Sequence, residues 1–301
     1  MKNKEIEWLL QEKYQGVESE AFDANCAKLA AGVPLAYLIG HVPFLDCTIY
    51  LDSHSLIPRP ETEYWVEQAI TTIQAQSTRR DLEQNTEGGL ASSLKILDLC
   101  AGSGAIGVAV AKAVSNAHVT FAEIDPTHLS TITKNIKINL LGDSITEIIE
   151  SDLFSALQKD VAASVAGEVR GVGEFLKEPY DEYGDEKIGT HNKEIHKQNR
   201  GFDYILTNPP YIDAAAYTVE ASVIENEPHL ALFGGSEGME IIKQIIEVAP
   251  AHLNPDGQLW IEHEPAQVNA LTEMAQQKGF AIVTHPDQYG VPRFSILSVA
   301  Q

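Results

Sequence analysis

The 301-residue sequence has few cysteines and no long apolar stretch. Its three cysteines, Cys26, Cys47 and Cys100, lie in unrelated contexts, which argues against a disulfide framework and against a zinc knuckle. No apolar run reaches the roughly 20 residues that a membrane-spanning helix needs. The first residues, MKNKEIEWLLQEKYQG, contain acids and no apolar segment typical of a secretory signal. We therefore expect a cytoplasmic protein that does not enter the membrane.

Basic residues are also scarce. Lys and Arg number 21 against 43 Asp and Glu, which gives a net charge of -22. Affinity for nucleic acid comes mainly from basic side chains on phosphates, so we expect no direct nucleic-acid partner. His191 and His196 occur in a charged stretch without a pattern of metal ligands, and we expect no metal there.

The first third of the chain differs in pattern from the rest. Residues 1–32 have apolar positions at helical spacing and predict two short helices. Within the linker, residues 33–76, period-two stretches predict a β-hairpin before Pro60, and a helix follows from Glu61 to about Gln76. Residues 77–93 are polar and predict a loop.

From Leu94 onward, strand and helix patterns alternate. This alternation is typical of an α/β fold in which a parallel sheet is covered by helices on both faces. The last two strands have no helix between them and predict an antiparallel hairpin at the sheet edge. Residues 156–200 are charged and weakly periodic, which indicates a surface insertion. The predicted strands are 94–100, 118–124, 145–151, 202–208, 257–263, 280–285 and 293–299, and the predicted helices are 105–114, 126–139, 237–253 and 265–278.

A glycine loop follows the first of these strands. Gly102, Gly104 and Gly107 form G-x-G-x-x-G between a strand and a helix, a pattern that allows close backbone approach to a ligand. Glu123 ends the next strand, nineteen positions after Gly104, where a carboxylate can accept both ribose hydroxyl hydrogens. These features fit NAD and equally any other cofactor that contains adenosine.

Asp98 favours a cofactor other than a dinucleotide. It lies in DLCAGSG, directly before the loop, where a carboxylate would repel a pyrophosphate but can accept a hydrogen bond from an ammonium group. S-adenosylmethionine has such an α-ammonium, whereas NAD has none.

The stretch FDYILTNPPYID, residues 202–213, ends a strand in two prolines. Neither proline can donate a hydrogen bond, and the first restricts Asn208 to an extended conformation. The Asn208 side-chain oxygen and the Pro209 carbonyl can accept both hydrogens of an N–H₂ group and aim its nitrogen at a methyl group. Tyr211 offers a flat face for a planar amide or base.

The motif Asn-Pro-Pro-Tyr resembles the signature of S-adenosylmethionine-dependent methyltransferases that act on adenine, cytosine or glutamine. Within that class the chain resembles the release-factor glutamine methyltransferases, the HemK/PrmC family, in LIPRPETE, LDLCAGSGAIG, SDLF, TNPPYI and ENEPHLALFGGSEGMEII. The segment LIPRPETE separates it from the nucleic-acid enzymes that share NPPY. The resemblance implies a Rossmann-like class I methyltransferase domain over residues 77–301.

The resemblance also implies a reaction and a set of site residues. A class I peptide-chain release factor would present the glutamine of its Gly-Gly-Gln motif, and the amide nitrogen (N5) would take the methyl group of S-adenosylmethionine. We expect a monomer. The implied catalytic residues are Asn208, Pro209, Pro210 and Tyr211. The implied cofactor residues are Asp98, Cys100, Ala101, Gly102, Ser103, Gly104, Glu123, Ile124, Asp152, Leu153 and Asn208. The implied substrate residues are Arg59, Glu61, Thr62, Asn208, Pro209 and Tyr211.

The sequence departs from the family pattern in the loop, where Cys100 stands at a position that is commonly glycine. A small buried thiol, and not a nucleophile, is the interpretation that we favour. Two other functions compete with glutamine methylation. One is N6-adenine methylation of DNA or RNA, with the base extruded into the same pocket. The other is a non-catalytic adenosine-binding module, which the intact Asn208 and glycine loop oppose.

Overall fold

The computed structural model describes residues 2–85, 93–139, 145–157, 201–215 and 220–299. Three helices come first: α1 (Lys2–Tyr14), α2 (Glu20–Ala30) and α3 (Leu35–Ile39). Leu9, Phe22 and Leu38 are the buried centre of a small core between them. The two predicted helices are confirmed, and α3 is an additional turn of helix within the linker. None of the described helices is long and apolar enough to cross a membrane.

The predicted hairpin is present as β1 (His41–Phe44) and β2 (Cys47–Tyr50), paired antiparallel. Two asparagines of a later helix form hydrogen bonds with the backbone of β2, in the way that a neighbouring strand would. The Asn135 side chain accepts from the Tyr50 N–H at 2.8 Å and donates to the Tyr50 carbonyl at 3.0 Å. Asn139 does the same for Thr48, at 2.9 and 2.8 Å. These four bonds attach the linker to the main domain.

Helix α4 (Pro60–Asn85) is longer than the sequence predicts. It begins at the expected place, but residues 77–85 are helical and the predicted loop is wrong there. Polar contacts with the sheet stabilise the extension: Ser77 donates to Asn116 at 2.9 Å, and Arg80 pairs with Asp203 at 2.8 Å. A polar stretch of sequence is therefore held as helix by tertiary hydrogen bonds rather than by an apolar face.

One seven-stranded sheet forms the main domain, in the order β5-β4-β3-β6-β7-β9-β8. The first five strands of that order are parallel, and β9 runs antiparallel between β7 and β8. The predicted antiparallel hairpin at the edge is confirmed. The strands are β3 (Leu94–Leu99), β4 (Ala117–Glu123), β5 (Ile145–Glu150), β6 (Phe202–Thr207), β7 (Leu253–Glu262), β8 (Phe280–Pro286) and β9 (Pro292–Val299).

Helices cover both faces of this sheet. Helices α4, α5 (Ala105–Ala113) and α6 (Pro126–Asn139) bury one face, and α9 (Glu240–Val248) and α10 (Val268–Gln277) bury the other. The α/β class is confirmed.

The helix predicted over residues 237–253 is shorter than expected. Gly235 and Gly238 have φ of 81° and 68°, which interrupts the helix at its start, and residues 249–251 tighten into a 3₁₀ turn. Two short helices, α7 (Ala221–Asn226) and α8 (His229–Leu232), were not predicted. Most of the predicted 156–200 insertion, with His191 and His196, lies outside the described residues.

The ion pair of Arg80 tests the extension of α4. Asp203 is buried and also accepts from the Lys95 N–H and from Asn254. Arg80→Ala leaves this carboxylate with fewer donors, so we expect the free energy of unfolding to fall. The loss should be limited to about 2 kcal/mol because Arg80 is itself partly exposed. Thr78→Ala, at an exposed position in the same turn, should change stability by less than about 0.5 kcal/mol. Equal denaturation midpoints for the two variants would contradict the helical extension.

Candidate active site

Two pockets meet at the carboxyl ends of β3 and β6, which are adjacent parallel strands. The smaller pocket lies against the glycine loop, and a cleft of about 790 Å³ lies on the other side of Asn208. Asn208, Leu56 and Ala231 line both pockets. A side chain at this position can therefore contact two ligands at once.

The glycine loop turns through three residues with positive φ. Cys100, Gly102 and Gly104 have φ of 60°, 55° and 78°, and α5 begins directly after Gly104. Gly107 lies inside α5, where an added Cβ would come within 2.3 Å of the Phe121 ring. The third glycine is thus required for close packing of the helix on β4.

Asp98 lies at the end of β3 and is fully buried. Its Oδ2 accepts from the Gly107 N–H at 2.8 Å, whereas its Oδ1 has no partner among the described residues. Burial raises the pKa of this carboxyl well above its usual range, and the nearby Glu123 carboxylate raises it further. A buried carboxylate oxygen without a donor beside a glycine loop fits a ligand that brings an ammonium group.

Glu123 connects the loop to the end of β4. Its Oε2 accepts from the Gly102 N–H at 2.7 Å and its Oε1 from the Asp125 N–H at 2.9 Å. These bonds fix the carboxylate at the wall of the smaller pocket while each oxygen keeps a further lone pair for a ribose hydroxyl. Ile124 is exposed on the same wall, with 42% of its surface accessible. Asp152 and Leu153 line the pocket from the turn after β5.

The predicted cofactor residues divide into two groups. Cys100, Gly102, Glu123, Ile124, Asp152, Leu153 and Asn208 line the smaller pocket. Asp98, Ala101, Ser103 and Gly104 are behind that wall, where Ala101 donates its N–H to Ala122 and the Ser103 carbonyl accepts from Asn135. Burial raises the pKa of the Cys100 thiol, which keeps it protonated and agrees with a structural residue.

Asn208 is held by a hydrogen bond on one side of its amide. Its Nδ2 donates to the Thr62 hydroxyl at 3.1 Å, and no described residue donates to its Oδ1. Pro209 and Tyr211 line the cleft, and Pro210 lines the smaller pocket. The Tyr211 hydroxyl donates to Glu262 at 2.9 Å, and burial together with that carboxylate raises the pKa of Tyr211 well above 10.0. The four motif residues therefore separate the two pockets.

The linker residues have different positions from one another. Arg59 lines the cleft and pairs with the buried Glu227 at 2.5 Å, which ties the linker to the segment after NPPY. Thr62 is buried and contacts Asn208 instead of lining the cleft, and Glu61 is half-buried in the first turn of α4. Glu63 accepts from the Leu45 N–H at 2.5 Å and holds the hairpin.

Comparison with known proteins shows which family this chain belongs to. The Methyltransferase small domain matches residues 82–165. A release factor glutamine methyltransferase of Rhodopirellula baltica is 31% identical over 86% of this chain and 71% of its own length. One of Pasteurella multocida is 32% identical over 87% and 74%. The chain belongs to the release factor glutamine methyltransferase family. The resemblance drawn from its motifs is confirmed.

A solved structure agrees on the fold. The human hMettl16 catalytic domain has a TM-score of 0.51 at 13% identity, over 84% of this chain and 75% of that one. This likeness concerns the fold alone. The Rossmann-like class I methyltransferase fold that the resemblance implied is confirmed.

The segment GGSEGM of this family member packs on the backbone of NPPY. A Cβ on Gly234 would lie 2.4 Å from the Pro210 carbonyl oxygen, and one on Gly238 would lie 1.9 Å from that of Tyr211. Gln267 donates to the same Tyr211 carbonyl at 2.8 Å. The carboxyl side of the motif is therefore rigid because backbone lies directly against backbone.

Three residues of the site escape prediction from the sequence: Glu227, Glu262 and Gln267. A signal existed for Glu262, because it ends an apolar strand that neighbours β6, at the edge where ligands bind in parallel sheets. Glu227 directly follows the short helix α7 and Gln267 lies in a 3₁₀ turn, and the position of both depends on tertiary contacts. Within the described part of the chain, no group of His, Cys, Asp and Glu is arranged to hold a metal ion.

The buried Asp98 predicts a pH-dependent difference in stability. Its raised pKa means that the folded protein binds this proton more tightly than the unfolded chain does, so the free energy of unfolding falls as pH rises above about 4. Asp98→Asn removes that loss. The measurement is the difference in melting temperature between Asp98→Asn and the parent, both without cofactor. We expect this difference to increase, in favour of the variant, from pH 5 to pH 8. Calorimetry should show weaker binding of S-adenosylhomocysteine to the variant; unchanged affinity, or a difference that shrinks with pH, would contradict this assignment.

Proposed function

We propose that this protein transfers a methyl group from S-adenosylmethionine to the side-chain amide nitrogen (N5) of the glutamine in the Gly-Gly-Gln motif of a class I peptide-chain release factor. The observation that carries the proposal is the orientation of Asn208 between the two pockets. Its Nδ2 is bound to Thr62, so its Oδ1 is the atom left to accept from a ligand. An acceptor at this place selects a substrate with N–H donors.

The substrate amide is held by acceptors alone. Asn208 Oδ1 and the Pro209 carbonyl oxygen accept its two hydrogens, and neither proline offers a competing donor. The amide nitrogen is a weak nucleophile, and these two oxygen dipoles stabilise the positive charge that develops on it. S-adenosylmethionine, when bound, supplies an electrophilic methyl group on a sulfonium. The transfer would form one N–C bond and break one S–C bond, and one amide hydrogen would leave as a proton to water.

The cofactor is held by the smaller pocket. Glu123, Ile124 and Leu153 line it, where Glu123 would accept from the ribose hydroxyls and Ile124 and Leu153 would lie against the adenine. Asp98 lies behind the wall of this pocket, and from there its unpaired Oδ1 would attract the α-ammonium. The positively charged sulfonium suits a pocket whose charged side chains are carboxylates, Asp125 and Asp152 among them.

A protein substrate fits the cleft better than a nucleic acid does. Three carboxylates, Asp213, Glu237 and Glu264, line it. Among the described residues that line it, Arg59 is the single basic one, and this guanidinium is already paired with Glu227. Such a wall repels a phosphate backbone and accommodates an uncharged or basic peptide. The names of the relatives add the release factor as the protein concerned. We infer a class I release factor as the partner and a monomeric enzyme.

A substrate comparison tests the reaction. The protein is incubated with S-adenosylmethionine labelled in its methyl group and, in parallel, with a release factor, its Gln-to-Ala loop variant and duplex DNA. Label should enter only the unmodified release factor, because the amide nitrogen is the acceptor. Label in DNA but not in the release factor would instead support N6-adenine methylation and overturn the proposal.

Asn208 is expected to act on the nucleophile more than on the cofactor. Asn208→Ala should lower kcat on the release factor at least about 100-fold, since it removes one of two acceptors for the amide. Its affinity for S-adenosylhomocysteine, measured by calorimetry, should stay within about threefold of the parent value. A variant that methylates at the parent rate would remove the role given to NPPY.

A further inference from the structure

A buried hydrogen-bond cluster lies behind Asn208, on the side away from both pockets. Its centre is Glu262, of which 1% of the surface is exposed. Glu262 Oε2 accepts from the Thr62 hydroxyl and from the Trp65 indole N–H, both at 2.7 Å. Its Oε1 accepts from the Tyr211 hydroxyl at 2.9 Å. Three donors from two separate segments therefore converge on one carboxylate.

These bonds have a fixed direction. Burial raises the pKa of Glu262, and its hydrogen bonds with Trp65, Thr62 and Tyr211 oppose that rise. In its ionised form the carboxylate only accepts and an indole N–H only donates, so the Thr62 hydroxyl gives its hydrogen to Glu262. The Thr62 oxygen can then only accept, and the group that it faces at 3.1 Å is the Asn208 side chain. The amide must present Nδ2 there. Were it flipped, Oδ1 would face an oxygen that has no hydrogen to give.

The fold brings these residues together from distant parts of the sequence. Thr62 and Trp65 are three residues apart in the first turns of α4 and so share a face of the helix. In the parallel register, Thr207 pairs with Ile261, so Glu262 continues β7 beside Asn208. The start of α4 is thereby attached to the carboxyl ends of β6 and β7.

We propose that Glu262 and Thr62 are positioning residues that hold the Asn208 amide with its oxygen toward the substrate. The inference rests on the proposed function and adds residues to it. Without these bonds, the Asn208 amide can rotate so that its N–H₂ group faces the N–H₂ group of the substrate. Two hydrogen-bond donors then face each other, and the substrate amide loses an acceptor. The same carboxylate anchors Tyr211, so it holds both ends of the NPPY motif.

The central test removes a single hydroxyl. Thr62→Val keeps the shape of the side chain but offers Asn208 no acceptor, and we expect kcat on the release factor to fall about 10- to 100-fold. KM for the release factor and the affinity for S-adenosylhomocysteine should stay within about threefold, because neither pocket wall changes. Thr62→Ser, which retains the hydroxyl, should recover kcat to within about threefold of the parent.

A second variant tests the direction of the bonds. Glu262→Gln can place its side-chain oxygen toward Trp65 and Thr62 and its N–H₂ toward the Tyr211 oxygen. The hydroxyl of Thr62 then still donates, and kcat should exceed that of Thr62→Val by about fivefold or more. Thr71→Val is the matched control, since it removes an exposed hydroxyl from the same helix. We expect it to equal the parent in every measurement.

A measurement without substrate separates this inference from the proposed function. The side-chain amide signals of Asn208 are assigned by NMR from their loss in Asn208→Ala. In the parent their hydrogen exchange should be about tenfold slower than in Thr62→Val, because the bond to Thr62 protects them. Failure of the parent to methylate the release factor would overturn the proposed function, and the exchange comparison would still decide the role of Thr62.

Two results would overturn the positioning role. One is a Thr62→Val variant with the kcat and the Asn208 amide exchange of the parent. The other is a Thr62→Ser variant as slow as Thr62→Val, since the hydroxyl would then not be the group that matters. Slow turnover in Thr62→Val with rescue by serine and faster amide exchange supports the role.

Discussion

The parallel pairing of β6 with β3 on one side and β7 on the other determines where every functional group of this protein lies. Parallel strands end at the same edge of the sheet. Asn208 and Glu262 leave β6 and β7 at one level, and Asp98 lies two residues before that level in the neighbouring strand β3. The cofactor pocket forms over β3 and β4, and the cleft forms on the β7 side. Asn208 lies between the two because its strand lies between the other two. The smaller pocket and the cleft are thus brought together by strand order.

Three buried carboxyl groups at this edge differ in how many hydrogen-bond donors surround them. Glu123 accepts from two backbone N–H groups and remains at a pocket wall. Glu262 accepts from three side chains and touches no pocket. Asp98 has one donor for two oxygens. A buried charge costs free energy unless it is paired or hydrogen-bonded, so the number of donors around each carboxylate indicates whether it serves the protein or a ligand.

Much of this site could be predicted from the sequence, because local signals identify it. The glycine loop, the acid at the end of β4 and the NPPY turn each depend on neighbouring residues that constrain the backbone. The helical extension of α4 could not be predicted, since its polar residues are held by Asn116 and Asp203, which lie far along the chain. The role of Thr62 could not be predicted either. The sequence alone implied contact with the substrate, whereas its environment is set by Glu262, two hundred positions away.

The cluster around Glu262 also limits how the protein can change. Thr62, Trp65, Asn208, Tyr211 and Glu262 form a chain in which each donor has one acceptor, so a substitution that removes the donor or acceptor of one member also removes a hydrogen bond from its neighbour. Free energies of substitution in such a set are not additive. Apart from changes that retain the hydrogen-bonding group, such as Thr62→Ser, a single neutral substitution is therefore hard to find, and divergence requires paired changes in the linker and in β7. Two segments that are remote in sequence should consequently evolve as one unit.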